Sequence, residues 1–534
     1  MAKGQQLSVP IRSWVPQWLG IVAAFVIMLP IILINGAYTG NITEVSGTLG
    51  VLSEDISMAY YATSAGMAIA YPIVPRFRTV LTTKTVLLTG LLLQVGLSFI
   101  CARVNQIDII IVCSFFIGIL KAFAMLEIII MIRPFFSPQN IRSEFYGYFY
   151  PIVFSAGQVS MALTAQLAYY YQWQYMYYFV ILLLLIAILF ILVFFRYSKQ
   201  IIRIPFREVD GRSILLIASV LLMTLYVATY GKTLDWFSSL KITGYTIAVP
   251  VLFWLFIYRQ QTLKTPYLHL DVLNHGKALI GYFFMMLAMF FSSSSTLATN
   301  YVNSIIRVDS VHANLLNLWM IPGFIGGGII CFWWFRWQKW RFRILVSIGM
   351  SCFVVYLAIL YFGITIDGTY EMLYFPMILR GMGMMILFIA FGVYIVEGMD
   401  PRLMIYNAFF LIASRSVLAP AFATSFFNNL LYRVQQNAIN ILSENMRMDH
   451  PLAAQQYNQA LNNAITQGHS MSDAAALATN TLYTTLQTQS LLLSLKTIIG
   501  YVLIAAIIIT VISRFIPFHK TLKVKIVKTG EDMV

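Results

Sequence analysis

Long apolar runs follow one another from residue 16 to residue 517, and nothing else in this sequence constrains its fold as strongly. A run of about 20 apolar residues is long enough to cross the hydrocarbon of a bilayer as a helix. Fourteen such runs can be drawn, at 16–38, 56–75, 85–104, 107–132, 145–170, 174–196, 213–231, 242–259, 278–303, 311–335, 344–364, 372–396, 404–430 and 491–514. Backbone groups in lipid must be satisfied within the segment, so these runs are helices. A transmembrane barrel would instead show alternating strands of about ten residues. Composition agrees: 60% of the residues are hydrophobic and 10% charged, against roughly 25% charged in an ordinary soluble domain. The expected class is an all-α polytopic membrane protein, with no cleavable signal peptide.

The formal net charge of +15 raises the question of nucleic acid, and its distribution answers it. With a cytoplasmic N-terminus, the inner joints collect about 24 Lys and Arg and the outer ones about 6, a strong positive-inside bias. The inner clusters are Arg76/Arg78/Lys84, Arg196 to Arg212, Arg259 to Lys277, Arg336 to Arg343 and Lys520 to Lys528. That pattern orients a membrane protein with both termini cytoplasmic, and it gives no continuous basic surface for nucleic acid. Cys101, Cys113, Cys331 and Cys352 all lie inside apolar runs, without the spacing of a disulfide framework or zinc site. The six histidines are scattered in loops and helix ends, and no cofactor or metal is expected.

Residues 230–239, YGKTLDWFSS, sit between the seventh and eighth runs. On this topology they cap a helical hairpin on the outer surface, with Trp236 and Phe237 in the headgroup zone where amphipathic rings anchor helix ends. The same stretch resembles the G-K-x-L-D-W-F-S-S signature of EmrB-type drug exporters, fourteen-span members of the major facilitator superfamily. KTPYLHLDVL (264–273), EGMDPRL (397–403), FFLIASRSVLAPAFATS (409–425) and QWQYMYYF (172–179) resemble further segments of that family. So does the polar insert 431–490, with its GHSMSDAAALA. The sequence departs from the family in YPIVPRFR (71–78), which keeps Arg76 without the family's Asp. It has Asn35 near the usual intramembrane Asp, Ser114 in place of an Arg four residues before Gly118, and only small residues in SAGQVSMALTA (155–165).

The resemblance implies a major facilitator fold: a six-helix bundle over 1–200, an inserted hairpin over 201–265, and a second six-helix bundle over 266–534 that includes the periplasmic insert. It implies inverted repeats around a central cavity, lined by spans 1, 4, 9 and 12. Polar residues in apolar runs are costly and face a bundle interior or a wet cavity, and these spans carry them: Asn35 and, beyond span 1, Glu44; Lys121 and Glu127; Ser292 to Thr296, Asn300 and Asn303; Arg380 with a Met-rich run. Span 13 adds Arg415. Spans 3, 6, 8 and 11 are mostly plain hydrocarbon. Arg76 and Arg142 are candidates for loops that move during conformational exchange. Gly118 and Gly381 are a faint echo between the halves. Lys121, about 18 Å from the inner end of its span, is expected near mid-membrane; packing against helix carbonyls is its alternative role.

The resemblance implies alternating-access export of small amphipathic compounds across a bacterial cytoplasmic membrane, coupled to protons. The missing acidic residues leave open a gradient-independent facilitator or an importer. Glu44, Glu54 and Asp55 in the first outer loop, without a His, are a thin basis for a lipid-linked glycosyltransferase, and no soluble signalling domain is visible. The insert, where Ser470 and Asp473 read as a helix start, is either a helical connector or a docking surface for a periplasmic adaptor protein.

Overall fold

The computed structural model describes residues 11–75, 77, 81–197, 210–337, 341–444, 451–516 and 518. Their long helices are α1 Gln17–Leu33, α2 Ser53–Ala70, α3 Thr83–Arg103, α4 Ile107–Phe136, α5 Arg142–Tyr170, α6 Tyr175–Phe194 and α7 Gly211–Tyr230. The remainder are α8 Leu240–Thr262, α9 Gly276–Ile306, α10 Val311–Trp337, α11 Phe342–Gly363, α12 Tyr370–Tyr394, α13 Pro401–Glu444 and α14 Met471–Phe515. Eleven of these are long and apolar enough to cross a membrane. The others depart from that standard for physical reasons. The first apolar run is shorter as a helix than in sequence: α1 ends at Leu33, after Pro30, and does not continue toward Glu44. Helices α2 and α5 carry more Ser, Thr, Gln and Gly, and their Thr63, Ser160 and Thr164 are buried against protein. A helix packed among other helices can bury such groups where a lipid-facing one cannot.

The packing repeats itself. Helices α2 and α4 are in close contact, as are α10 and α12; α3 packs on α4 and α6, and α11 packs on α12 and α14; α1 meets α4, and α9 meets α12. The two sets join where α5 lies along α10 and where α2 lies along α13. The closest pairs use the same device in each half. An added Cβ at Gly118 would sit 1.9 Å from the carbonyl oxygen of Thr63, and one at Gly66 would sit 2.1 Å from that of Phe115. In the other half, Gly323 would meet Ile378 O at 2.0 Å and Gly381 would meet Met320 O at 2.6 Å. Glycine at these four positions lets backbone pack on backbone, as small residues do between membrane helices. The echo between Gly118 and Gly381 is thus a shared helix contact.

The α7–α8 hairpin packs on α2 and on α13, while most of α8 faces outward. At its base Asp210 caps α7 and binds Arg259 of α8 at 2.7 Å. That guanidinium holds the Asp210 carboxyl down at about 2. The turn between the helices is tied to its neighbours: Tyr230 bonds Asp55, Thr233 donates to Glu54 at 2.9 Å, and the Lys232 ammonium lies 5.1 Å from the ring centre of Tyr432. The YGKTLDWFSS segment is therefore a clasp, made where α2, the hairpin and α13 meet.

Beyond the apolar part of α13 the helix continues to Glu444; a further helix covers Pro451–Thr466, and α14 starts about 20 residues before its apolar run. Ser470 caps α14, accepting from the Asp473 amide at 3.2 Å. Helices α9 and α13 each contain a π-helical turn, Val302–Ile306 and Ala413–Leu418.

Candidate functional site

A cavity of about 660 Å³ lies between the halves, walled by α1, α2, α4 and α5 on one side and α9, α10, α12 and α13 on the other. These are corresponding helices in the repeated packing. Spans 1, 4, 9 and 12 contribute to it, α5 and α13 add long stripes, and α2 and α10 complete the wall. Helices α3, α6, α8 and α11 contribute no residue.

The break after α1 shapes the first wall. The α1 helix stops at Leu33, inside its apolar run, leaving carbonyls without intrahelical partners. Non-helical backbone at membrane depth is tolerated where protein satisfies it, and here three helices do so. Lys121 of α4 donates to Ile32 O at 3.0 Å, Ile34 O at 2.7 Å and Asn35 Oδ1 at 3.2 Å. Thr63 of α2 accepts from the Gly36 amide at 3.2 Å, and Tyr177 of α6 donates to Gly36 O at 2.8 Å. A cation at a helix C-terminus also complements the helix dipole. Lys121 and Asn35 are thus one unit on the cavity wall, with the ammonium packed against helix carbonyls.

The second wall has a parallel arrangement. Helix α9 is interrupted at Ser294, whose hydroxyl donates to Phe291 O at 2.6 Å. From α12, the buried Arg380 donates Nε to Ser292 Oγ at 3.1 Å and Nη1 to Asn317 Oδ1 at 3.4 Å. In each half, then, a cation of the fourth helix reaches the broken first helix. Arg415 stands in the π turn of α13, its guanidinium carbon over the rings of Tyr150 and Phe388 at 5.4 and 5.1 Å. At the end near the α4–α5 loop, Arg133 donates to Asn140 at 3.2 Å; Arg142 donates to Tyr146 at 3.1 Å and reaches the Met404 sulfur at 3.7 Å in the other half. At the opposite end Asn314 bonds the carbonyl of Gly40, also across the halves. Between these ends run stacked or tilted rings from α5, Tyr146 on Tyr150 at 4.7 Å and Phe154 against Phe388 at 5.5 Å.

The other candidates fall elsewhere. Glu127 is buried in α4 but does not line the cavity. Glu44 lies on a short helix, Ile42–Leu49, off the cavity. Asn300 turns back to Thr296 O at 2.9 Å within its own helix, and Asn303 is exposed in the π turn of α9. Arg76 lies outside the described residues. The aromatic stripe Phe145, Tyr146, Phe149, Tyr150 and Phe154 escaped the sequence reading, because such residues at helical spacing read as ordinary packing. Among the described residues no group of three His, Cys, Asp or Glu side chains is placed to hold a metal ion.

The sequence matches the family model described as Major Facilitator Superfamily over residues 19–424. No curated protein matches it. Among solved structures it is similar to a proton-dependent oligopeptide transporter, with 12% identity over 93% of this chain and 98% of that one and a TM-score of 0.51. A peptide transporter in complex with alafosfalin gives 13% identity, 94% and 97% coverage and a TM-score of 0.50. The nucleoside transporter NupG gives 11%, 91%, 98% and 0.46. At such identities the likeness speaks for the fold alone.

Proposed function

Because this chain belongs to the major facilitator superfamily, and is a transporter and not an enzyme, we propose that it exports small amphipathic compounds by alternating access. The observation that carries this reading is the cavity between two similarly packed halves, bridged at one end by Asn314 with Gly40 and at the other by Arg142 with Met404. Alternating access requires such contacts to form and break in turn around one site. In this reading the protein has fourteen spans: bundles over 1–200 and 266–534, a hairpin over 201–265, and both termini cytoplasmic in a bacterial inner membrane. The outward direction rests on the resemblance to EmrB-type exporters. So does an adaptor protein docked on 431–490; crosslinks from that segment to a co-purified adaptor would support it, and unchanged efflux after shortening the insert would sink it.

Proton coupling assigns Glu127 the proton. A second reading, a gradient-independent facilitator, draws support from the cavity wall, where no Asp or Glu stands among the described residues. Flux of ethidium and naphthoate through proteoliposomes of the full chain tests both. Saturable, protein-dependent flux is expected, and its absence for every probe sinks the transporter reading. Acceleration by an imposed pH gradient, lost in Glu127→Gln while exchange persists, supports coupling; insensitivity to the gradient selects the facilitator.

A further inference from the structure

The cavity wall has one sign of charge. Lys121, Arg133, Arg142, Arg380 and Arg415 line it, and among the described residues no carboxylate does. Four of these cations are engaged with protein oxygen, or with sulfur as well: Lys121 with the end of α1, Arg380 with Ser292 and Asn317, Arg133 with Asn140, and Arg142 with Tyr146 and Met404. Arg415 also meets an oxygen, the Tyr150 hydroxyl, but with only part of its donor set. Its guanidinium is positioned over two aromatic rings, one from each half of the molecule. The rings offset its charge, but a ring face is a poor substitute for an oxygen acceptor. Its Nε and Nη1 are buried and no described residue accepts from them. Such donors in a low-dielectric site strongly favour an oxyanion, and guanidinium geometry matches a carboxylate or sulfonate in a bidentate manner.

We propose that Arg415 binds the headgroup of the transported compound, and that the compounds are small organic anions with an aromatic body. The body has a surface to lie on: Tyr146, Tyr150, Phe154 and Phe388, with Met384 and Met404 as adaptable neighbours. An organic cation would meet Arg133, Arg142, Arg380 and Arg415 with no carboxylate among the described wall residues to offset them. Because Tyr150 and Phe388 belong to opposite halves, an anion on Arg415 sits at the seam that alternating access must open, so binding and movement act on the same contact. This inference rests on the transporter reading and narrows it to a substrate class.

The test uses three probes with one ring system and different headgroups: naphthoate, naphthamide and naphthylmethylammonium. Binding to the detergent-purified full chain and flux in proteoliposomes are both measured. Naphthoate is expected to bind and to be carried, with the amide and the ammonium at least tenfold weaker, since a charge-assisted bond typically distinguishes by roughly ten- to a hundredfold. Arg415→Gln should lose naphthoate binding by a similar factor while keeping the wild-type melting temperature, and Arg415→Lys should recover part of it. If Arg415→Gln does not fold, Phe388→Leu tests the same site by removing one ring that holds the guanidinium, and weaker naphthoate binding is expected. Equal behaviour of the three probes, including binding of none, overturns the proposal, as does unchanged naphthoate affinity in Arg415→Gln or, if that variant does not fold, in Phe388→Leu. Flux of the ammonium with naphthoate excluded would refute the anion site and leave the transporter standing. Naphthoate binding without flux would overturn the proposal that the anion held by Arg415 is the transported compound.

Discussion

Replacing Gly118 by alanine tests whether the α2–α4 contact sets the position of the cavity wall. The added methyl would lie 1.9 Å from Thr63 O, about 1.5 Å short of ordinary contact. Both atoms are anchored to helix backbone, so no side chain can rotate away, and the helices must separate. Overpacking of this kind costs about 3 kcal/mol. The better helix propensity of alanine returns about 1 kcal/mol, leaving a net loss of roughly 2 kcal/mol. The displacement also carries Lys121, one turn further along α4, away from its acceptors; its 2.7 Å bond to Ile34 O would stretch beyond hydrogen-bonding range. Thermal unfolding of the purified full chain, followed by tryptophan fluorescence, should show Gly118→Ala melting well below the wild type, with reduced flux in proteoliposomes. Gly90→Ala on α3 is the control, because a Cβ there meets nothing within 4 Å. A Gly118→Ala protein that melts at or above the wild type, or a Gly90→Ala protein that loses as much, would refute the reasoning.

Other outcomes follow from the same structure. Lys121→Met removes the donor that serves three acceptors at the end of α1, so transport should be abolished and the melting temperature lowered; Lys121→Arg should keep part of the activity, and a Met variant that transports normally would show that the α1 break needs no cation. Ser238→Cys, exposed in the hairpin turn, should react with an impermeant thiol reagent in intact spheroplasts, over little background because the four native cysteines are buried; labelling only after lysis would reverse the topology. Asp210 is held at about 2 by Arg259. A carboxyl depressed in the folded state contributes stability above the free Asp range near 3.9, and loses it as pH falls through about 2. Asp210→Asn should therefore melt below the wild type at pH 7, the gap closing toward pH 2, and a gap independent of pH would exclude the ion pair as its source.

Much of this architecture was legible in the sequence, because the hydrophobic requirement of a lipid-facing helix acts residue by residue. Lys121, a cation inside an apolar run, could be expected at a bundle interior or cavity wall, and it lines the cavity. What stayed hidden depends on contacts between distant segments. That α1 stops at Leu33 depends on Thr63, Lys121 and Tyr177 being there to receive its unwound backbone. The role of α5 was invisible for a different reason: Tyr146 and Tyr150 look identical in sequence whether they pack in a core or face a cavity. Asn300 and Asn303 were misplaced because Ser294 and the π turn at Val302–Ile306 change which face of α9 looks inward.

The π turn at Ala413–Leu418 bears on how such a cavity can diverge. A π turn accommodates one residue more than the α-helical path it interrupts. Loss of a single codon there would let the helix close up into regular α geometry. The bulge that aims Arg415 at the seam would vanish, while the helix on either side of it kept the faces it now presents. A one-residue length change in α13 is thus a short mutational route to a different binding wall on an unaltered scaffold.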